Sequence, residues 1–173
     1  MPEIQGLPLL LHVGCGGDSL PEWAVGKYQE VRLDISSDNQ PDILASMTDM
    51  GDIGTFDALY CSHALEHLHP HEVTIALGEF HRVLNPGGFV VLFVPDLEDA
   101  RPTEDVLFVA PCGPVTGLDL MYGLRSLIPV MPYMAHNTGF IADTLKAAFT
   151  DAGFTQVVVE RKANYNLMAV AAK

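Results

Sequence analysis

The stretch Leu9-Leu10-Leu11-His12-Val13-Gly14-Cys15-Gly16-Gly17-Asp18 decides how the chain reads. An apolar run of strand length feeds straight into a cluster of glycines, and such a run is too short for an ordinary helix. Glycine has no Cβ, so the backbone there can turn sharply and lie close to a ligand. About 20 residues later a second apolar run, Glu30-Val31-Arg32-Leu33-Asp34, ends on a carboxylate. Strand, glycine turn, strand and terminal acid, in that order, build the nucleoside site of an α/β sheet, the acid accepting from ribose hydroxyls.

Outward from that stretch, Pro21, Glu22, Trp23 and Gly26 leave little room for a regular helix before the second strand, so an irregular turn anchored by Trp23 is expected. Short strands are expected over 42–45 and 56–61. From Pro70, the residues Val73, Ala76, Leu77, Phe80, Val83 and Leu84 recur at helical spacing, until Asn85-Pro86-Gly87-Gly88 stops the helix. The continuous apolar run 89–94 fits a strand buried on both faces. Residues 141–152 read as a helix, and 154–160 with 165–172 as an antiparallel pair. The segment 96–139 has no clean period, with helices expected at 103–109 and 117–127. The expectation is an α/β fold, doubly wound, with a mostly parallel seven-stranded sheet closed by a C-terminal hairpin. Residues 1–173 form one domain in this reading, with 96–139 as an irregular lid or interface insertion.

Nine basic against 22 acidic residues give a formal charge of −13. The basic residues are scattered singly, without the clusters that displace counterions from a phosphate backbone, so no nucleic acid is expected as partner. Cys15, Cys61 and Cys112 are far apart and form no zinc spacing, which fits a reduced, cytoplasmic setting. Glu3 and the lack of a basic run argue against a secretory signal. Prolines 111, 114, 129 and 132 break the most apolar later region, so no membrane span is expected.

Four pieces in order resemble the class I S-adenosylmethionine-dependent methyltransferases, in particular their small, type 11-like domains. They are Val13-Gly14-Cys15-Gly16-Gly17; Leu33-Asp34-Ile35; the run from Phe56 through Ser62-His63-Ala64-Leu65-Glu66-His67; and Glu79-Phe80-His81-Arg82-Val83-Leu84-Asn85-Pro86-Gly87-Gly88. The resemblance implies S-adenosyl-L-methionine as cofactor and methyl transfer to a small-molecule acceptor. It implies that Gly14, Cys15 and Gly16 approach the methionine part, that Asp34 takes the ribose with Ile35 beside it, and that Asp49 reads the adenine amino group with Met50 against the ring. Cys61 and Ser62 would lie at the sulfonium end. The family's acid before the first glycine is replaced by His12, with Asp18 as the acid that would stand in. The family's capping N-terminal helices are also missing, which leaves 96–139 as the lid.

A methyl acceptor bearing a proton is helped by a base, and His63 or His136 are the expected catalytic residues. Other readings compete. Ser19 replaces the third glycine of a dinucleotide motif. His63-Ala64-Leu65-Glu66-His67 matches a zinc-peptidase signature, but it comes straight off a strand and Pro70 interrupts any helix, so no metal site is expected and His69 and His71 read as solvated. Glu66 and Arg82 read as a buried ion pair. The apolar 106–134 region reads as core or a homodimer surface ahead of a substrate cleft, which supports a rival reading: a non-catalytic methyltransferase-fold module for binding or oligomerisation.

Overall fold

The computed structural model describes residues 6–173; Glu3 lies outside them. Strand β1 (Leu9–Val13) pairs in parallel with β2 (Gln29–Asp34) on one side and β4 (Phe56–Ser62) on the other. Two-residue β3 (Ile43–Leu44) continues the sheet beyond β2. Helix α1 (Pro70–Val83) carries the chain from β4 across to parallel β5 (Leu84–Pro95). Helix α3 (Ala142–Asp151) leads to β8 (Thr155–Lys162) and antiparallel β9 (Asn166–Ala172), which pairs with β5. The order β3-β2-β1-β4-β5-β9-β8 is a doubly wound, mostly parallel seven-stranded sheet with an antiparallel C-terminal pair. Such sheets present ligands at the carboxyl ends of their strands, on either side of the point where strand order reverses. Here that point lies between β1 and β4.

The two faces of the sheet are filled unequally. Leu11, Val13, Leu33, Leu59, Val90, Leu92 and Leu167 pack with Leu77 and Phe80 of α1 and Phe149 of α3 in one large buried cluster. The opposite face holds a small cluster, Leu10, Ala24 and Ala58, edged by Trp23, Tyr28, Tyr60 and Phe89. No regular helix joins β1 to β2. Turns running from Pro21 to Tyr28 do so, with Trp23 edge-on to Tyr28 and Tyr60, as the proline and glycine there dictate.

The segment 96–139 departs most from expectation. Residues 103–109 do not form a helix; β6 (Val106–Ala110) and β7 (Gly113–Thr116) make a hairpin. Valines at 106 and 109 and Phe108 favour a strand, and Pro111 followed by Gly113 makes the turn. Helix α2 spans only Gly117–Tyr122, capped by Thr116 and Asp119, because Gly123 adopts φ +89°. Strand β5 also starts earlier than expected, at Leu84, with Asn85 tied by its side-chain amide to Asp57. No helix among the described residues is long and apolar enough to cross a membrane.

Candidate functional site

The carboxyl ends of β1, β2 and β4 converge on two groups of residues. The first is the glycine turn. Gly14 and Cys15 both donate their N–H to the Leu33 carbonyl, which extends the β1–β2 pairing past the end of β1. The Asp34 carboxylate then takes the Gly16 N–H at 2.8 Å and the Ser36 N–H at 2.8 Å, one on each oxygen. Arg32 closes the other side, donating to the Gly16 carbonyl at 2.7 Å and the Asp18 carbonyl at 2.8 Å. The turn is thus held through its amide by an acid and through its carbonyls by a base.

The two glycines do different work. Gly14 has φ +62°, and a Cβ there would come within 2.5 Å of the Ala64 Cβ. It is glycine because the loop after β4 lies on it. Gly16 has φ +48°, and nothing lies within 4 Å of where its Cβ would be. Open space above a left-handed glycine is where a ligand can meet bare backbone. Beside it Ile35 is 66% exposed, a large apolar side chain next to the Asp34 carboxylate. Of that acid's oxygens, Oδ1 accepts one amide, and Oδ2 accepts one amide and a long 4.0 Å contact from the Cys15 thiol. A flat apolar surface and free acceptor capacity suit a nucleoside. Asp49, exposed, closes a tight turn in its own loop, donating its N–H to the Ser46 carbonyl.

Three sequence expectations need correction here. Met50 cannot lie against a ring, because it is only 3% exposed and packs in the main core. The side chain of Cys61 is fully buried in that same core, and burial pushes its thiol pKa up, so it offers nothing to a ligand. The His12 ring is closed off: its Nδ1 meets Glu30 Oε1 at 2.7 Å, and the ring lies against Tyr60. Cys15 is likewise buried, with its thiol pKa raised chiefly by burial. Ser62, half-buried at the end of β4, keeps its place at the sheet edge.

The second group follows β4. A short 3₁₀ turn, Leu65–His67, places Glu66 in the interior, 1% exposed. Arg82 is not its partner; that guanidinium holds Glu79 and the Gly51 carbonyl instead. Histidines surround Glu66. His63, half-exposed and at φ +50°, brings Nδ1 to 3.3 Å from Glu66 Oε1, and His136 brings Nε2 to 4.0 Å. The rings of His67 and His136 lie 5.1 Å apart. His136 arrives because the 135–138 strap is stapled to the turn: Asn137 and Thr138 donate their N–H groups to the Glu66 carbonyl, and the Thr138 hydroxyl donates to Leu68. Burial favours the neutral acid at Glu66, but His63 outweighs it and holds the pKa below the usual carboxylate value. Burial works to lower the His63 pKa, and the Glu66 carboxylate overcomes it and raises it. Burial wins at His136, whose pKa is lowered. Both candidate bases, His63 and His136, are therefore brought to one carboxylate. Sequence reasoning missed Arg32, which looked like an ordinary strand residue, and Glu66 with His67 as one site with His136.

A family profile for the methyltransferase domain matches residues 11–92, which span both groups up to the end of His67 and the whole of α1. Solved structures share the fold. An S-adenosylmethionine-dependent methyltransferase of Mesorhizobium loti is 18% identical with a TM-score of 0.69, covering 100% of this chain and 94% of its own. Human N-acetylserotonin methyltransferase, in complex with S-adenosylmethionine, is 11% identical with a TM-score of 0.65, covering 96% of this chain. A Bordetella parapertussis protein described as a possible exported protein is 18% identical with a TM-score of 0.64, covering 96% of this chain. The chain spans 47% of the human protein and 61% of the Bordetella one. No curated protein matches in sequence. Over residues 11–92 the chain matches the methyltransferase domain, and its sheet order and solved neighbours give it the fold of the class I S-adenosylmethionine-dependent methyltransferases. S-adenosylmethionine is the cofactor this domain implies.

Proposed function

We propose that this protein transfers a methyl group from S-adenosylmethionine to a small-molecule acceptor. The observation that carries the reading is the open space above Gly16 beside the Asp34 carboxylate and the exposed Ile35. Asp34 would accept ribose hydroxyls with its remaining lone pairs, Ile35 would cover one face of the adenine, and Asp49 would take its amino group. When bound, the cofactor supplies an electrophilic methyl group. The chain's own part is then alignment and exclusion of water, which account for most of what such transfers require.

His63 is the residue proposed to take the acceptor's proton. It is half-exposed just past the end of β4, while the Glu66 carboxylate beside it can balance the positive charge it gains. An acidic chain with scattered basic residues supports a small acceptor over nucleic acid. Calorimetry with S-adenosylhomocysteine tests the cofactor half: saturable binding is expected, weakened roughly 100-fold in Asp34→Ala as hydrogen bonds to a charged acceptor are lost. Turnover against a panel of small hydroxyl and amine acceptors tests the rest, with His63→Ala expected to lose at least 100-fold in kcat at unchanged S-adenosylhomocysteine affinity. Absent binding by the wild type would leave the fold without this activity.

A second reading has its own observation. Val106, Val109 and Val130 are 55%, 72% and 77% exposed on the insertion, and we propose that they meet a second copy of the chain. If a homodimer forms and S-adenosylhomocysteine does not bind, the chain is an oligomerisation module built on a methyltransferase fold.

A further inference from the structure

We propose that Glu66, His67 and His136 form a binding site for a divalent transition-metal ion, zinc being the probe of choice. One ligand atom from each of the three lies within 4.8 Å of the other two. The argument starts from what the histidines do with their far nitrogens. His67 Nδ1 is 3.1 Å from the Ala135 carbonyl and His136 Nδ1 is 3.0 Å from the Leu120 carbonyl. A carbonyl only accepts, so both Nδ1 atoms carry the proton, and in the neutral ring Nε2 is left with a bare lone pair. A backbone carbonyl holding the distal N–H is the arrangement that orients metal-bound histidines.

Beside them sits the Glu66 carboxylate, 4.0 Å from His136 Nε2 and approached on Oε1 by His63 Nδ1 at 3.3 Å. Neither oxygen of Glu66 has a hydrogen-bond partner, although both are fully buried. A buried carboxylate whose neighbouring imidazole makes no hydrogen bond to it is a costly feature for a fold to carry. A proton on His136 does not resolve this, because 4.0 Å from Nε2 to Oε1 is too long for a hydrogen bond. The same 4.0 Å is within the span of two metal–ligand bonds of about 2.1 Å each. Ligand atoms around a tetrahedral ion stand roughly 3.4 Å apart, so side-chain shifts of about 1 Å close the set. Two imidazoles and one carboxylate suit zinc or another first-row divalent ion, and three protein ligands leave one position open. His63, whose Nδ1 is 3.3 Å from the same Oε1, stands beside the cluster without being needed to complete it.

The sequence predicts no metal site because His63-Ala64-Leu65-Glu66-His67 comes straight off a strand and Pro70 interrupts any helix. The third donor comes about 70 residues later, on the strap that Asn137 and Thr138 fix to the 3₁₀ turn. An ion there would cross-link the insertion to the sheet edge.

The test uses the full chain, freed of any affinity tag, stripped with chelator and titrated with Co²⁺ and then Zn²⁺ in the absence of S-adenosylmethionine. One equivalent of Co²⁺ is expected, with visible d–d absorption of tetrahedral strength that Zn²⁺ abolishes, and Zn²⁺ should raise the melting temperature of the wild type. Glu66→Gln and His136→Ala should each lose more than the 10–100-fold in affinity that removing a mere supporting partner costs. His69→Ala/His71→Ala, which removes the stacked histidine pair at the start of α1, should bind as the wild type does. Circular dichroism confirms that each variant is folded. The proposal is overturned if the wild type shows no saturable Co²⁺ band, if Glu66→Gln and His136→Ala bind undiminished, or if binding disappears with His69 and His71. Because no cofactor is present, this result and the S-adenosylhomocysteine titration can fail independently.

Discussion

The glycine turn and the Glu66 cluster lie at the same edge of one sheet and are built in opposite ways. The turn is made from residues within 25 positions of one another, and every polar group named in it has a partner: Asp34 holds two amides, Arg32 two carbonyls. The cluster is assembled from two distant segments and leaves a buried carboxylate without a hydrogen bond. A satisfied, local site can stand preformed before anything binds. A site with a buried carboxylate lacking any hydrogen bond at its centre has an energetic deficit built in, and a bound cation would remove it.

The contrast can be broken most sharply at Gly14. Gly14→Ala places a methyl group 2.5 Å from the Ala64 Cβ at φ +62°, so at least about 2 kcal/mol of stability should be lost. Chemical denaturation measures it; an unchanged midpoint would mean that the loop after β4 yields freely. Arg32→Ala comes next. Removing two charge-assisted bonds to the turn should weaken S-adenosylhomocysteine binding roughly tenfold while costing about 1 kcal/mol, since the guanidinium is partly exposed. Equal affinity in the variant would show that Asp34 alone suffices to hold the turn.

The smallest effect concerns the insertion. Burial disfavours the Asp119 carboxylate, but bonds from Thr116 and Arg125 outweigh it and lower its pKa. A depressed acid contributes stability that is present above its unfolded value, about 3.9, and is lost as pH falls through the lower folded value. Hydrogen exchange should therefore show α2 losing protection below about pH 4, ahead of α1, with Asp119→Asn lacking that pH-dependent step. Simultaneous loss in both helices would argue that the insertion has no separate stability.

What could be read from the sequence follows the same division. Strand, glycine turn and terminal acid are neighbours in the chain, so β1, β2, α1 and the C-terminal pair were legible from periodicity and turn residues. Burial was not. Nothing in the letters separates Ile35, which lies open, from Met50, which is in the core, because both sit in irregular loops where alternation gives no phase. His12 was read against the family's acid, yet its direction was decided by Glu30 on the adjacent strand. The helix expected at 103–109 is instead the first strand of a hairpin, Val106–Ala110, whose short period the neighbouring prolines mask. His136 could be linked with Glu66 only through the strap, whose bonds to Glu66, His67 and Leu68 bridge some 70 positions.

The contact between Gly14 and Ala64 also sets a limit on variation. The segment that leaves β4 toward His63 and Glu66 rests directly on the bend that follows β1, with no spare volume between them. Neither loop can be lengthened or enlarged there without the other giving way, so the two must be altered as a pair.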